Sequence, residues 1–167
     1  MSDQAFITLN ATLQGLALLY EELLGVARRK QEHLIHNDIA ALGQDLTQEE
    51  PVIRKIERLE SERQRVHREC CLTLGLAQET RRVEDILPLL PQPIGRDLRR
   101  WRDRLCAILD DLREVNTTNV ALISTSLDII EGALQAVFGV ENPAEAYDAC
   151  GAKTSAFAYG SSFRATL

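Results

Sequence analysis

Few aromatic residues, few histidines and no excess of positive charge mark this sequence, and each shortage bears on the class of protein. The 167 residues include one Trp, three Tyr, four Phe and three His. Nineteen Lys and Arg stand against 25 Asp and Glu, which gives a net charge of −6. Affinity for a phosphate backbone comes mainly from uncompensated Lys and Arg, so general binding to nucleic acid is not expected.

The sequence also lacks the patterns of catalytic, metal-binding and membrane-spanning proteins. No GxxxxGK[ST] loop, GxSxG elbow, HExxH pair or CxxC pair occurs, and no apolar run approaches the ~20 residues that cross a bilayer. His33 and His36 lie one turn apart but have no third metal ligand at a suitable spacing, which favours a solvated helix end. We therefore predict no catalytic residue, no metal and no cofactor, four buried reduced cysteines, and a cytoplasmic location.

What is present indicates helices. The apolar residues make up 45% of the chain and are mainly Leu, Ile, Val and Ala, interspersed with Glu, Arg and Gln. Asp3 is a candidate N-cap of the first helix, and Asn37 is expected both to end that helix and to cap the next. Between them an apolar stripe with steps of three and four residues predicts a heptad seam, formed by Phe6, Leu9, Leu13, Leu16, Tyr20, Leu23, Ala27, Lys30 and Leu34.

A second long helix, antiparallel to the first, is predicted after a short helix at residues 38–45. Thr47 and Glu50 have the spacing of a capping box, with Pro51 in the first turn, so the chain either bends here or continues as one kinked helix. Gly75 is the expected C-cap. The seam of this helix consists of Val52, Ile56, Leu59, Arg63, Val66, Cys70 and Leu74.

Prolines at residues 88, 91 and 93 predict a connector over residues 76–95, with one short helix at residues 83–87 and buried side chains at Leu89 and Leu90. A third long helix is expected over residues 94–138, with Gly139 as its stop. Its bundle-facing positions, here named the seam stripe, are Leu98, Trp101, Leu105, Ile108, Leu112, Val115, Asn119, Leu122, Ser126, Ile129, Ala133 and Ala136.

A second stripe of the third helix is displaced by one residue and is largely charged in its first half. From residue 120 it is wholly apolar, so the apolar face becomes about twice as wide there and needs a second surface to cover it. Polar residues at 116–119 and 124–126 mark this transition, although they are poor helix formers. The apolar part, here named the outer stripe, consists of Val120, Ile123, Leu127, Ile130, Leu134 and Val137.

The last residues are rich in Ala, Gly and Ser and show no periodicity of a helix or strand. We expect residues 1–139 to form a helical bundle and residues 140–167 to form a flexible tail that either folds on binding or remains a partly ordered terminus. Half of the chain's aromatic residues lie in this tail, at Tyr147, Phe157, Tyr159 and Phe163.

In order and spacing, four segments resemble the FlgN family of flagellar export chaperones. They are KQEHLIHNDIAAL at residues 30–42, LTQEEPVIRKIERLESER at residues 46–63, the third helix around Asn116, Asn119, Leu122, Ile123, Ser126 and Leu127, and AYDACG at residues 146–151. The resemblance covers nearly the whole chain. The sequence departs from the family in its longer, more aromatic tail after Gly151, for which the family gives no role.

The resemblance implies an elongated, all-α antiparallel bundle that binds hook-filament junction subunits, keeps them unassembled and delivers them to the export gate. The outer stripe is then the client-binding face, which agrees with its surplus apolar width. The family's tail element places docking to the export gate at Tyr147 and Gly151. A coiled-coil scaffold or adaptor homodimer, paired through the same face and without an export role, is the alternative.

Overall fold

The computed structural model describes residues 2–76, 82–138, 145–147 and 153–155. Its long helices are α1 (Ser2–Ile35), α2 (Ile39–Thr73) and α4 (Gln92–Phe138). Between α2 and α4 lie the short helix α3 (Val83–Ile86) and a 3₁₀ turn (Leu87–Leu89). The predicted all-α bundle fold is confirmed, with one small addition, because β1 (Glu145–Tyr147) pairs antiparallel with β2 (Lys153–Ser155).

The chain divides into two compact units, residues 1–122 and 123–167. The first contains α1, α2, α3, the 3₁₀ turn and most of α4. The second contains the last turns of α4 and the β1–β2 pair. The predicted division at residues 139 and 140 falls outside the described residues and stays a prediction.

The turn between α1 and α2 is built by Asn37. It has a φ of 56°, in the left-handed region that Asn tolerates better than most residues. Its N–H donates to the Leu34 carbonyl at 3.3 Å, and the Asp38 N–H donates to the His33 carbonyl at 2.9 Å, which satisfies the end of α1. Asp38, not Asn37, caps α2, because its side chain accepts from the Ala41 N–H.

Helix α2 runs unbroken through Pro51, so of the two predicted possibilities the structure shows one continuous helix. Thr47 forms no capping box, and its hydroxyl donates instead to the Gly43 carbonyl at 3.0 Å. Tertiary packing supports the turn of α2 before the proline. Asp45 is 3% exposed, and its carboxylate accepts from Arg29 Nε at 3.1 Å and lies 2.8 Å from His33 Nδ1. His33 is therefore not the solvated helix end that we predicted.

The core of the first unit lies along α1. Leu16 packs with Val52 and Ile56 of α2, whereas Leu9 packs with Val66, which shows that α1 and α2 are antiparallel as predicted. Gly75 ends α2 as expected, with a φ of 68°.

Helix α4 runs parallel to α1 within this unit, since Leu98 clusters with Phe6, while Ile108 and Leu112 cluster with Leu24 and Ala27. The helix begins at Gln92, two residues before its predicted start, and Asp3, the predicted cap of α1, lies inside α1.

The connector closes one end of this core. Ile86, Leu87 and Leu90 are buried there, in the cluster that contains Phe6 and Leu98. Leu89 is 51% exposed, so the prediction that it is buried is wrong. The short helix predicted at residues 83–87 is confirmed as α3 and the start of the 3₁₀ turn.

Three cysteines lie among the described residues. Burial raises the pKa of the Cys70 thiol to about 12 and also raises the pKa of Cys71, which makes both thiols poor nucleophiles. Cys106 is exposed, contrary to its predicted burial, and Cys150 lies outside the described residues.

His67, which contacts Cys71, is 3% exposed, and its Nε2 lies 3.3 Å from the Arg82 carbonyl.

The burial of His67 predicts acid-sensitive stability, because burial lowers the pKa of this imidazole below its ordinary value. The unfolded chain then takes up the proton first. The stabilising contribution is present above pH ~6.5 and is lost as the pH falls toward the folded-state pKa, by about 1.4 kcal/mol for each unit of pKa difference. In urea unfolding at pH 7.5, 6.5 and 5.5, His67→Gln should show a shallower loss of stability than the unmodified chain.

Parallel pH profiles for His67→Gln and the unmodified chain would show that His67 does not carry this acid sensitivity.

Candidate functional site

The burial of helix α4 changes at Asn119. Up to this residue the seam stripe is buried at Leu98, Ile108 and Leu112, which are at most 7% exposed. Asn119 is 6% exposed, and its Nδ2 donates to the Ala27 carbonyl of α1 at 2.9 Å. A single buried polar residue at a seam position disfavours shifted helix registers, since displacement would leave the Asn119 amide without an acceptor.

The poor helix formers before this point are accommodated by local hydrogen bonds. The Thr117 hydroxyl donates to the Arg113 carbonyl at 2.8 Å, and the Thr118 hydroxyl donates to the Glu114 carbonyl at 3.1 Å. Both bonds reach back one turn along the same helix, so the polar side chains are satisfied without interrupting it. α4 therefore remains a continuous helix across the transition.

The outer stripe is exposed throughout. Val120 belongs to the first compact unit and the other five residues to the second. Large apolar side chains repeated at helical spacing and left in solvent are typical of an interaction site. The exposed fractions are 67% for Val120, 44% for Ile123, 59% for Leu127, 55% for Ile130, 47% for Leu134 and 73% for Val137.

The seam stripe is exposed after residue 126 as well, which corrects its predicted role as bundle core. Ile129 is 67% exposed, and Ala133 and Ala136 are also exposed. Phe138, which belongs to neither predicted stripe, is 69% exposed. The sequence already indicated a wider apolar face, because the seam stripe stays apolar after residue 126. Periodicity shows which side chains share a face, but it does not show whether another part of the protein covers that face.

Charge is sparse along this part of the helix. Between residues 123 and 138 the ionisable side chains are Asp128 and Glu131, both acidic. Glu131 accepts a long hydrogen bond of 3.5 Å from Gln135 Nε2, one turn further along. The exposed face thus lacks any cation of its own between these residues.

The same residues raise the hydropathy of α4. The helix contains an 18-residue window with a mean hydropathy of 1.4, none of it buried, so by length and composition it could cross a membrane. We predicted that no apolar run approaches the length that crosses a bilayer. That prediction missed this window, because polar residues interrupt its apolar residues. Asp128 and Glu131 make this segment amphipathic, and carboxylates are costly inside a bilayer.

The predicted docking element of the tail is only partly described. Tyr147 is the last residue of β1, where it pairs in register with Lys153. Gly151 lies outside the described residues, as do Phe157, Tyr159 and Phe163. The described residues hold no group of three or more His, Cys, Asp or Glu that could bind a metal.

Exposure of the outer stripe predicts that charge is tolerated there in the free protein. Ile123→Asp and Leu127→Asp should each change the free energy of unfolding by about 0.5 kcal/mol or slightly more, the range of surface substitutions with a small loss of helix propensity. Leu112→Asp, at a buried position of the same helix, should cost more than about 3 kcal/mol, because it buries an unpaired charge. Circular dichroism during urea unfolding measures all three.

If Ile123→Asp destabilised the chain as strongly as Leu112→Asp, the outer stripe would be internal core and not a binding face.

A family model described as FlgN protein matches residues 1–155 of the chain. The matched region extends from α1 to the end of β2 and contains the whole outer stripe. Comparison with curated proteins gives no match, and neither does comparison with solved structures.

Proposed function

The chain belongs to the FlgN protein family, and we propose that it is a cytoplasmic flagellar export chaperone for hook-filament junction subunits. The observation that carries this proposal is the exposed outer stripe of α4. In the proposed cycle the stripe covers an apolar segment of the subunit, which keeps the subunit unassembled, and the chaperone then delivers it to the export gate. No catalytic step is needed at any stage.

The spacing of the outer stripe suits a helical client. Ile123, Leu127, Ile130 and Leu134 follow steps of four, three and four residues, the pattern by which one amphipathic helix lies along another. Such an interface gains its affinity from apolar area. An export chaperone must also release its client, which favours an interface of moderate size over an obligate one.

A coiled-coil homodimer with no export role is the second candidate, and the same exposed stripe supports it. The two candidates differ in the state of the protein without a client. A scaffold homodimer remains dimeric on dilution, whereas a chaperone with a free face is monomeric at low micromolar concentration. Multi-angle light scattering after size exclusion separates them.

Charge on the outer stripe should abolish client binding. We expect Ile123→Asp and Leu127→Asp to weaken binding of a purified hook-filament junction subunit by more than 100-fold in isothermal titration, because each places a carboxylate in an apolar interface. Ala121→Asp is the matched control. Ala121 is exposed and lies two positions before Ile123, about 200° around the helix, so this variant should bind within twofold.

Equal loss in all three variants would point to a general disturbance of the helix. Undiminished binding by Ile123→Asp and Leu127→Asp would place the client elsewhere.

A separate role is proposed for the tail. Tyr147→Ala should leave the affinity for the junction subunit within twofold but reduce secretion of that subunit severalfold, since Tyr147 is assigned to docking at the export gate. Secretion is measured in a strain that carries the variant as its only copy, and Tyr147→Phe shows whether the ring or its hydroxyl is needed. A loss of client affinity as large as the loss of secretion would contradict this division of roles.

A further inference from the structure

The exposed apolar surface at the end of α4 is wider than one partner helix can cover. At about 100° per residue, the outer-stripe positions from Ile123 to the end of α4 occupy a sector of about 80°. The exposed seam-stripe residues Ile129, Ala133 and Ala136 occupy a neighbouring sector of about 60° on the same helix. Together with a gap of about 40° between them, the two sectors span about half of the helix circumference.

A surface helix that packs on one side buries an apolar stripe of about 100°. A single partner helix centred on the outer stripe therefore leaves Ile129 and its neighbours in water. The alanines make a second contact geometrically easy, because small side chains allow a helix to approach closely. The two sectors thus provide two adjacent tracks, one lined by large side chains and one by small side chains.

The residue types in the outer stripe independently favour more than two helices. Leu127 precedes Ile130 by three residues, the step from a to d of a heptad. Leu127 and Leu134 therefore occupy position a, and Ile123 and Ile130 occupy position d. In coiled coils, Leu at a with Ile at d favours trimers and tetramers over a two-helix pair. A bundle in which α4 is joined by two further helices satisfies this preference.

Charge identifies the kind of helix that fits. Asp128 and Glu131 are the ionisable groups of residues 123–138, so a second copy of the chain would bring acidic edges against acidic edges. A partner whose apolar stripes are flanked by Lys and Arg complements them. Two helices of one chain also bind with a smaller entropic cost than two separate chains, since the second contact is intramolecular.

From these features we infer that α4 receives two amphipathic helices of one client chain, basic at their edges, which lie side by side on the outer stripe and on the track of Ile129, Ala133 and Ala136. The inference rests on the proposed function, because it takes the outer stripe as the client-binding face. It adds that the client binds as a helical pair and that Ala133 is an interface residue.

A matched pair of variants tests the second track. Ala133→Asp and Ala121→Asp make the same chemical change at two exposed positions of one helix. For the full chain and a purified hook-filament junction subunit, we expect Ala133→Asp to raise the Kd at least tenfold and Ala121→Asp to change it less than twofold. If Ala133→Asp also binds within twofold, one helix suffices and the inference is overturned, although the proposed function stands.

Photo-crosslinking identifies what occupies each track. With p-benzoylphenylalanine at position 127 or 133 of the full chain, cross-links should map to two different helical segments of the same subunit. Cross-links from both positions to one segment, or to a second copy of the chaperone, would overturn the inference. Failure of the subunit to bind at all would overturn the proposed function and the inference with it.

Variants in the two tracks also test whether this surface binds a lipid membrane instead of a client. We expect no sedimentation of the full chain with phosphatidylglycerol–phosphatidylethanolamine vesicles, because both charges of the segment are acidic. Sedimentation that Leu127→Asp and Ala133→Asp abolish would assign both tracks to lipid and overturn the inference.

Discussion

The first compact unit depends on α1, which is buried on two sides at once. Leu16 packs against α2, while Ala17, Leu24 and Ala27 pack with α4. Its small residues help the neighbours to approach, since a Cβ at Gly15 would stand 2.8 Å from the Leu59 side chain. Apolar burial along α1 provides the main driving force for assembling the three long helices.

Polar side chains then fix how the helices align. Four polar residues interrupt the predicted apolar stripes, namely Lys30, Arg63, Asn119 and Ser126. Two of them bond to a neighbouring helix, since Lys30 pairs with Glu49 across the α1–α2 contact and Asn119 bonds to the Ala27 carbonyl of α1. Arg63 instead pairs with Glu60 within α2. Removing one partner of such a buried or half-buried pair costs more than forming it contributes, so misaligned packings are disfavoured.

The sequence predicts features whose cause is local better than features whose cause is tertiary. Asn37 and Gly75 end helices as expected, because left-handed backbone favours these residue types. At Pro51 the sequence left a bend and a continuous helix both open, and the continuous helix of the structure depends on non-local contacts such as those of buried Asp45 with Arg29 and His33. The β1 and β2 strands were not predicted, because three residues are too few to show an alternating pattern.

The candidate site shows the same division. Periodicity identified every residue of the outer stripe, and all six are exposed. It assigned Ile129, Ala133 and Ala136 to the bundle core, although they are exposed too. A stripe pattern reveals which side chains share a face, whereas covering that face depends on partners that one sequence does not contain. The surplus of exposed apolar side chains on α4 links the fold to the proposed function.

The most direct test of that link is hydrogen–deuterium exchange of the chaperone with and without a bound hook-filament junction subunit. Nearly all side chains of residues 123–138 are exposed, so the amides of these turns should exchange readily in the free protein. Client binding should slow exchange across residues 120–138 and leave α1 and α2 unchanged. Protection confined to α1 or α2, with residues 120–138 unaffected, would contradict a client-binding face on α4.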